Sequence, residues 1–273
     1  MILEHTGERL IEAHYQESPG DYLIYLFHMV AYNFARRYVG GKRALDYGCG
    51  SGYGTALLAA DCEHIKGIDT APEAISYAGL HYQAPNLSYE TVRPASEGPI
   101  PFSDGFFDTV LSFQVLEHIR DVKPYLSEIK RVLKPGGALI LSTPDRSTRL
   151  LPFQKPWNIW HIKEYSRKKL AHILEQYFCN VDIQQMGGKQ KVLEIELART
   201  RTLMWLTLPF TLPLVPEIIR TGCLRVLKHL EKRRKSRISR SLQQFDFDES
   251  DLFISPDLSK SVNLIAVAYK EFS

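Results

Sequence analysis

A run of glycines at alternate positions constrains this chain more than any other feature. Leu45-Asp46-Tyr47-Gly48-Cys49-Gly50-Ser51-Gly52-Tyr53-Gly54 leads from an apolar segment into one with helical spacing. Such a stretch folds as a strand, a tight turn and a helix. The glycines let the backbone come close to a ligand, and the start of the helix offers N–H groups that have no partner within it. Asp69 closes the next apolar run, residues 65–68. A carboxylate about twenty residues after such glycines accepts two hydrogen bonds from a ribose diol, or else caps the helix that follows. Tyr53 stands where the dinucleotide pattern G-x-G-x-x-G would have its third glycine. With the Asp46 carboxylate two residues ahead of Gly48, this departure disfavours a pyrophosphate ligand and suits a cationic one.

The rest of the chain alternates in the same way. Residues 21–39 carry Leu23, Phe27, Val30 and Phe34 at helical spacing and stop at Gly40-Gly41. The pattern predicts strands at 43–47, 65–68, 87–92, 107–113, 138–142, 181–185 and 262–269. It predicts helices at 53–60, 72–79, 122–133 and 167–176. Alternation at this spacing belongs to a parallel, doubly wound α/β sheet. The length of 273 residues is that of one large domain, or of one domain with a sizeable insertion. A content of 44% hydrophobic and 24% charged residues excludes disordered, collagen-like and coiled-coil chains.

With these motifs in this order, the chain resembles class I S-adenosylmethionine-dependent methyltransferases, in particular type 11 and 23 members that modify glycans or lipids. Asp46 to Gly52 is similar to the family's first motif and Gly67-Ile68-Asp69 to its second. Pro101-Phe102-Ser103-Asp104-Gly105-Phe106-Phe107-Asp108 is similar to the stretch before its fourth strand. Ser112-Phe113-Gln114-Val115-Leu116-Glu117-His118 and Arg131-Val132-Leu133-Lys134-Pro135-Gly136-Gly137 match as well. The resemblance covers residues 42–185 and resumes at 262–270. It implies a Rossmann-like sheet of seven strands in the order 3-2-1-4-5-7-6, the last antiparallel, with an N-terminal helical lid. The lid would be 1–41, the core 42–198 and 242–273, and an insertion before the last strand 199–241.

The resemblance also implies S-adenosyl-L-methionine as cofactor. Gly48, Gly50 and Gly52 would lie against its methionine and ribose, Asp46 near its ammonium, and Asp69 on the ribose hydroxyls. Gln114 would line the methionine pocket. The adenine would meet Ser96 or Glu97, where many members have an Asp-Ala pair. Because the sulfonium carries an activated methyl group, catalysis reduces mainly to placing an acceptor, plus a base where the acceptor is a hydroxyl. His118, after the fourth strand, titrates in the working range and is one candidate; the alternative is that Glu117-His118 orders the next segment. His161 is the second, in Asn158-Ile159-Trp160-His161-Ile162-Lys163-Glu164-Tyr165, a segment similar to one placed over the acceptor in glycan- and lipid-modifying members. Trp157 and Trp160 would stack on a sugar or quinone ring or pack in the core. Thr6-Gly7-Glu8-Arg9 resembles the opening of methyltransferases of surface polysaccharide synthesis, and His14, Tyr15, Tyr22 and Tyr25 fall in the lid.

The net charge of +3 hides an asymmetry. Between Arg199 and Ser241 there are eleven Lys and Arg against Glu217 and Glu231, beside an apolar run, Leu203 to Pro216, read as a loop. Ile219, Cys223, Val226, Leu227 and Leu230 form one stripe of the helix that follows, with Arg220, Arg225, Lys228 and Lys232 around it. A basic amphipathic helix of this kind suits an anionic membrane surface through residues 203–240, or the segment covers the core or a second subunit. Nucleic acid is not expected, since few aromatics interleave the basic residues. The four cysteines show no C-x-x-C spacing, so no metal site is expected and a reducing compartment is. Residues 1–9 read as no signal peptide, so the expected place is the cytoplasm, with the inner membrane face as the alternative. The expected function is O-methylation of a glycan, a lipid-linked sugar or a small lipid. The rivals are a non-catalytic scaffold of the same fold and an NAD-dependent oxidoreductase.

Overall fold

The computed structural model of the chain describes residues 18–237 and 245–272, the side chains of 231–237 excepted. The motif Thr6 to Arg9, His14, Tyr15 and Arg240 lie outside the described residues, as does the side chain of Lys232. Helix α1 (Pro19–Val39) opens with Ser18 accepting from the Asp21 N–H at 3.1 Å. Pro19 takes the first helical position, where a missing N–H costs nothing. The strands are β1 (Arg43–Tyr47), β2 (His64–Asp69), β3 (Leu87–Thr91), β4 (Phe107–Phe113), β5 (Leu133–Pro144), β6 (Cys179–Gly188), β7 (Leu252–Ser255) and β8 (Asn263–Tyr269). The further helices are α2 (Tyr53–Ala59), α3 (Pro72–His81), α4 (Val122–Val132), α5 (Arg146–Arg149), α6 (Arg167–Leu174), α7 (Gln190–Thr211) and α8 (Glu217–Arg237).

The sheet runs β3-β2-β1-β4-β5-β8-β6-β7. β1 to β5 pair in parallel, and β8 lies antiparallel between β5 and β6. With β8 as the seventh strand this is the expected order, extended by one: β7 pairs with the outer edge of β6. Four residues carry too little periodicity to declare themselves as a strand. β4 sits at the centre and is buried on both faces. Its Leu111 and Phe113 point into the layer with Leu23, Phe27 and Ala31 of α1; Val110 points the other way, among Leu126 and Ile129 of α4 and Leu170 of α6.

Two expectations change. β5 starts at Leu133 rather than 138, because Phe107 pairs with Leu133 and a register shift before Thr109 carries the ladder through Lys134-Pro135-Gly136-Gly137. The apolar stretch from Leu203 to Thr211 is the second half of α7, not a loop, and Pro209 is tolerated inside the last turn. Strand order reverses between β1, which leads outward to β2 and β3, and β4, which leads to β5. Ligands of such sheets bind in the crevice at the C-terminal strand ends at that point.

Candidate active site

β1 and β4 run parallel through Asp46↔Leu111, so the turns that leave them open on the same edge. In the first turn Gly48, Gly50 and Gly52 have φ of +88°, +54° and +84°. Gly48 needs its missing side chain twice over: besides the left-handed backbone, a Cβ there would stand 2.4 Å from Cγ2 of Val115, in the turn after β4. Gly50 is different. Among the described residues no atom beyond its chain neighbours lies within 4 Å of where its Cβ would be, so the turn presents an open face at its middle. Tyr89 of β3 lies under the turn and donates from its hydroxyl to the Gly52 carbonyl at 2.9 Å.

Asp46 is fully buried. Its Oδ2 accepts from Thr55 Oγ1 at 2.6 Å and from the Tyr32 hydroxyl at 3.0 Å, while Oδ1 has no partner. Burial pushes this carboxyl up to about 6 against the pull of those two hydrogen bonds. Asp69, at the end of β2, faces the same turn: Oδ2 accepts from the Gly50 N–H at 3.0 Å and Oδ1 from the Ala71 N–H at 2.9 Å. It therefore fixes Ala71, the residue just before α3, and borders the glycine turn at once; no side chain caps α3 itself. Ser96 and Glu97 stand exposed on a turn closed by the Glu97 N–H on the Pro94 carbonyl, and neither is bonded to Asp69 or the glycines.

The second turn follows β4. Gln114 has φ +55°, a strained value for a residue with a side chain. β5 holds it there: its N–H donates to the Ser142 carbonyl at 2.9 Å and its Nε2 to Ser142 Oγ at 3.2 Å. A 3-10 turn, Leu116–His118, comes next. Glu117 is buried, its Oε2 accepting from Thr143 Oγ1 at 3.0 Å and its Oε1 without a partner. Burial raises its pKa, with His161 and His118 opposing. The Glu117 carbonyl accepts from the N–H groups of Ile162 and Lys163, which pins the distant segment carrying His161 beside it.

The structure thus brings the two histidines together, their rings 5.0 Å apart and nearly perpendicular. His118 meets the Trp160 carbonyl through Nδ1 at 3.1 Å, and His161, buried, meets Glu164 Oε1 through Nδ1 at 2.8 Å. Glu164 is itself held by Arg149 Nε at 3.1 Å. Burial alone would raise its pKa, but the Arg149 charge and the His161 bond hold it at about 2. Trp157 lies under the Arg149 guanidinium, 4.3 Å from the ring centre, and Trp160 is 48% exposed. Thr55, Tyr32, Val115, Thr143, Glu164 and Arg149 carry no role in the sequence reading, and Glu117 carries only that of ordering the segment that follows. Val115, Glu117 and Glu164 sat inside quoted motifs; for the two acids, a carboxylate within three residues of a candidate histidine was the available signal.

Comparison with known proteins agrees with this fold. A description of the methyltransferase domain matches residues 45–141. A probable S-adenosylmethionine-dependent methyltransferase of Mycolicibacterium smegmatis is 33% identical over 172 residues, 62% of this chain and 63% of that protein. The match therefore spans less than two thirds of that relative's length. The solved (4+2)-cyclase SpnF superposes with a TM-score of 0.56 at 18% identity, over 90% of this chain and 82% of that one. This is the class I S-adenosylmethionine-dependent methyltransferase fold. A ubiquinone biosynthesis O-methyltransferase of Burkholderia orbicola is 33% identical over 115 residues, 42% of this chain and 50% of that protein. A cyclase and methyltransferases on one methyltransferase fold show that the reaction must be argued from the site.

Proposed function

We propose that this protein transfers the methyl group of S-adenosyl-L-methionine to an oxygen of a glycan, a lipid-linked sugar or a small lipid. The observation that carries the reading is the open face of Gly50 between Asp46 and Asp69, across from the turn after β4. The residues present fit the cofactor. Asp69 already accepts two backbone N–H bonds and has the carboxylate a ribose diol needs, and the orphaned Oδ1 of Asp46 suits an ammonium donor. Gln114, fixed by Ser142, borders the methionine end. The adenine end is assigned to the turn that carries Ser96 and Glu97. When bound, the cofactor supplies an activated methyl on a cationic sulfur, so the chain's task is to hold the acceptor in line and to ease loss of its proton. His118 and His161 are assigned that second task.

The acceptor class rests on α7 and α8. Most of the apolar stripe of α8 faces outward: Ile219, Val226 and Leu230 are exposed and Cys223 and Leu227 half-buried, while Trp205, Leu214 and Ile218 are exposed at 61%, 95% and 82%. Arg220, one of the basic residues placed around the stripe, is buried and donates to the Pro156 carbonyl at 2.6 Å. It turns inward because Leu224, one turn on, is the buried contact of this helix. Lys155 and Gln154 bond to Val215 and Met204 in turn, so the exposed apolar surface is tied to the loop leading to His161. A lipid-bearing acceptor at an anionic surface would meet both. No helix among the described residues is long and apolar enough to cross a membrane.

Calorimetry with S-adenosyl-L-methionine and its demethylated product tests the cofactor, and transfer of labelled methyl to lipid and glycan extracts tests the reaction. Binding of neither ligand would remove the basis of the reading. Binding without turnover on any acceptor pool would favour a scaffold, and a nicotinamide cofactor in their place an oxidoreductase.

A further inference from the structure

We propose that Glu117, His118 and His161 form a binding site for a divalent transition-metal ion at the acceptor end of the crevice. Each offers one ligand atom, and the three atoms lie within 4.8 Å of one another. Two imidazoles and a carboxylate are a set that suits Zn2+, Mn2+, Fe2+ or Co2+; Mg2+ and Ca2+, which favour oxygen, are poorly matched.

Two further observations point to a cation. Glu117 is a fully buried carboxylate with one oxygen held by Thr143 and the other, Oε1, without any donor. A buried carboxylate oxygen in that state is costly, and a positive charge beside it removes the cost. Each histidine is also held through its Nδ1. Nδ1 of His118 is on a backbone carbonyl, that of His161 on Glu164, and Glu164 is fixed by Arg149. A hydrogen bond from Nδ1 to a carbonyl or carboxylate is how an imidazole is oriented to ligate through Nε2. The site joins the turn after β4 to a segment far along the chain, so no local spacing announces it.

In the proposed methyl transfer, on which this use of the ion rests, its charge would lie beside the acceptor hydroxyl and lower the pKa of that group. Binding itself can be tested without the reaction. Full-length protein, stripped with a chelator and titrated with Co2+, should bind it stoichiometrically and show visible d–d absorption that Zn2+ abolishes and Mg2+ does not. His118→Ala and His161→Ala should each weaken binding at least about tenfold. Glu117→Gln, nearly the same shape, should do likewise in protein whose circular dichroism and S-adenosyl-L-methionine affinity are unchanged.

Absence of stoichiometric Co2+ binding in protein that binds S-adenosyl-L-methionine overturns the metal site and leaves the methyltransferase reading standing. The two histidines and Glu117 would then be a proton relay. Absorption that survives both histidine substitutions places the ion elsewhere and equally overturns the site. Co2+ bound through these residues in protein that binds neither S-adenosyl-L-methionine nor its product supports the metal site and overturns the proposed reaction.

Discussion

Replacing Gly48 and Gly50 by alanine, one at a time, separates the folding role of the glycine turn from its binding role. Both positions have positive φ, +88° and +54°, where a Cβ costs ~1–2 kcal/mol. At Gly48 the new Cβ would also stand 2.4 Å from Val115 Cγ2, well inside the ~3.5–4.0 Å of a carbon contact. Forcing the two turns apart adds about 1–3 kcal/mol, for a total of ~2–5 kcal/mol lost from unfolding stability. Val115→Ala removes the clashing methyl and leaves Cβ at 3.5 Å, an ordinary contact. The double mutant should therefore be more stable than the two single changes predict, by about 1–3 kcal/mol, with the backbone strain alone remaining. Gly50→Ala meets no atom of the described residues within 4 Å beyond its chain neighbours, so only the strain applies and the protein stays folded. Its methyl group, however, projects into the face assigned to the cofactor, and S-adenosyl-L-methionine affinity should fall at least tenfold. Urea unfolding of the wild type and the four variants, with calorimetry on those that fold, gives both readouts. Wild-type affinity in Gly50→Ala would refute the placement of the cofactor. Strict additivity of Gly48→Ala and Val115→Ala would refute the contact between the turns.

Asp69→Ala should weaken S-adenosyl-L-methionine binding by ~1.5–3 kcal/mol, the worth of hydrogen bonds to a charged group. Asp69→Asn, which keeps one acceptor for the Gly50 or Ala71 N–H, should lose less in urea unfolding than in calorimetry. Because Asp46 titrates at about 6 when folded and at an ordinary 3.8 when unfolded, the folded protein binds this proton more tightly. Its contribution is full below about pH 4 and is lost as pH rises to about 6, roughly 3 kcal/mol in all at 1.36 kcal/mol per pH unit. Unfolding at pH 4 to 7 should show that slope in the ligand-free protein and a flatter one in Asp46→Asn. Leu214→Glu and Trp205→Glu, both at exposed positions, should reduce co-sedimentation with anionic vesicles while leaving the urea midpoint in place; unchanged sedimentation would detach the membrane from the acceptor question.

The half of the site assigned to the cofactor was legible as a cluster because it is local. Asp46, the three glycines and Asp69 come from two successive strand ends, and a glycine at alternate positions has few other uses. The acceptor half was legible only as separate fragments. His118 and His161 could be named, but their meeting depends on the Glu117 carbonyl capturing the Ile162 and Lys163 N–H groups, which no spacing rule encodes. The α7–α8 region misled for a related reason. Periodicity gives the stripe of Ile219, Val226 and Leu230 but not which side the core lies on, and a buried Arg220 reverses the usual inference. Ser96 and Glu97 were placed by analogy of position alone, and they lie on an exposed turn without a bond to the site.

The same chain of contacts argues that acceptor and surface are coupled. Glu164, which holds His161, pairs with Arg149, and Arg149 lies 3.9 Å from Glu196 of α7, which also binds Arg199. Arg149, Glu164 and Glu196 are all buried, so removing one leaves an unpaired charge in a low dielectric, and the group cannot shift one member at a time. A change in how α7 sits is thereby felt at His161, whereas among the described residues Asp46, Asp69 and the glycines are hydrogen-bonded within the first half of the chain. Glu196→Gln should accordingly alter turnover and the apparent affinity for the acceptor while leaving S-adenosyl-L-methionine affinity unchanged. Equal losses in both affinities would mean that the two halves of the site are not mechanically distinct.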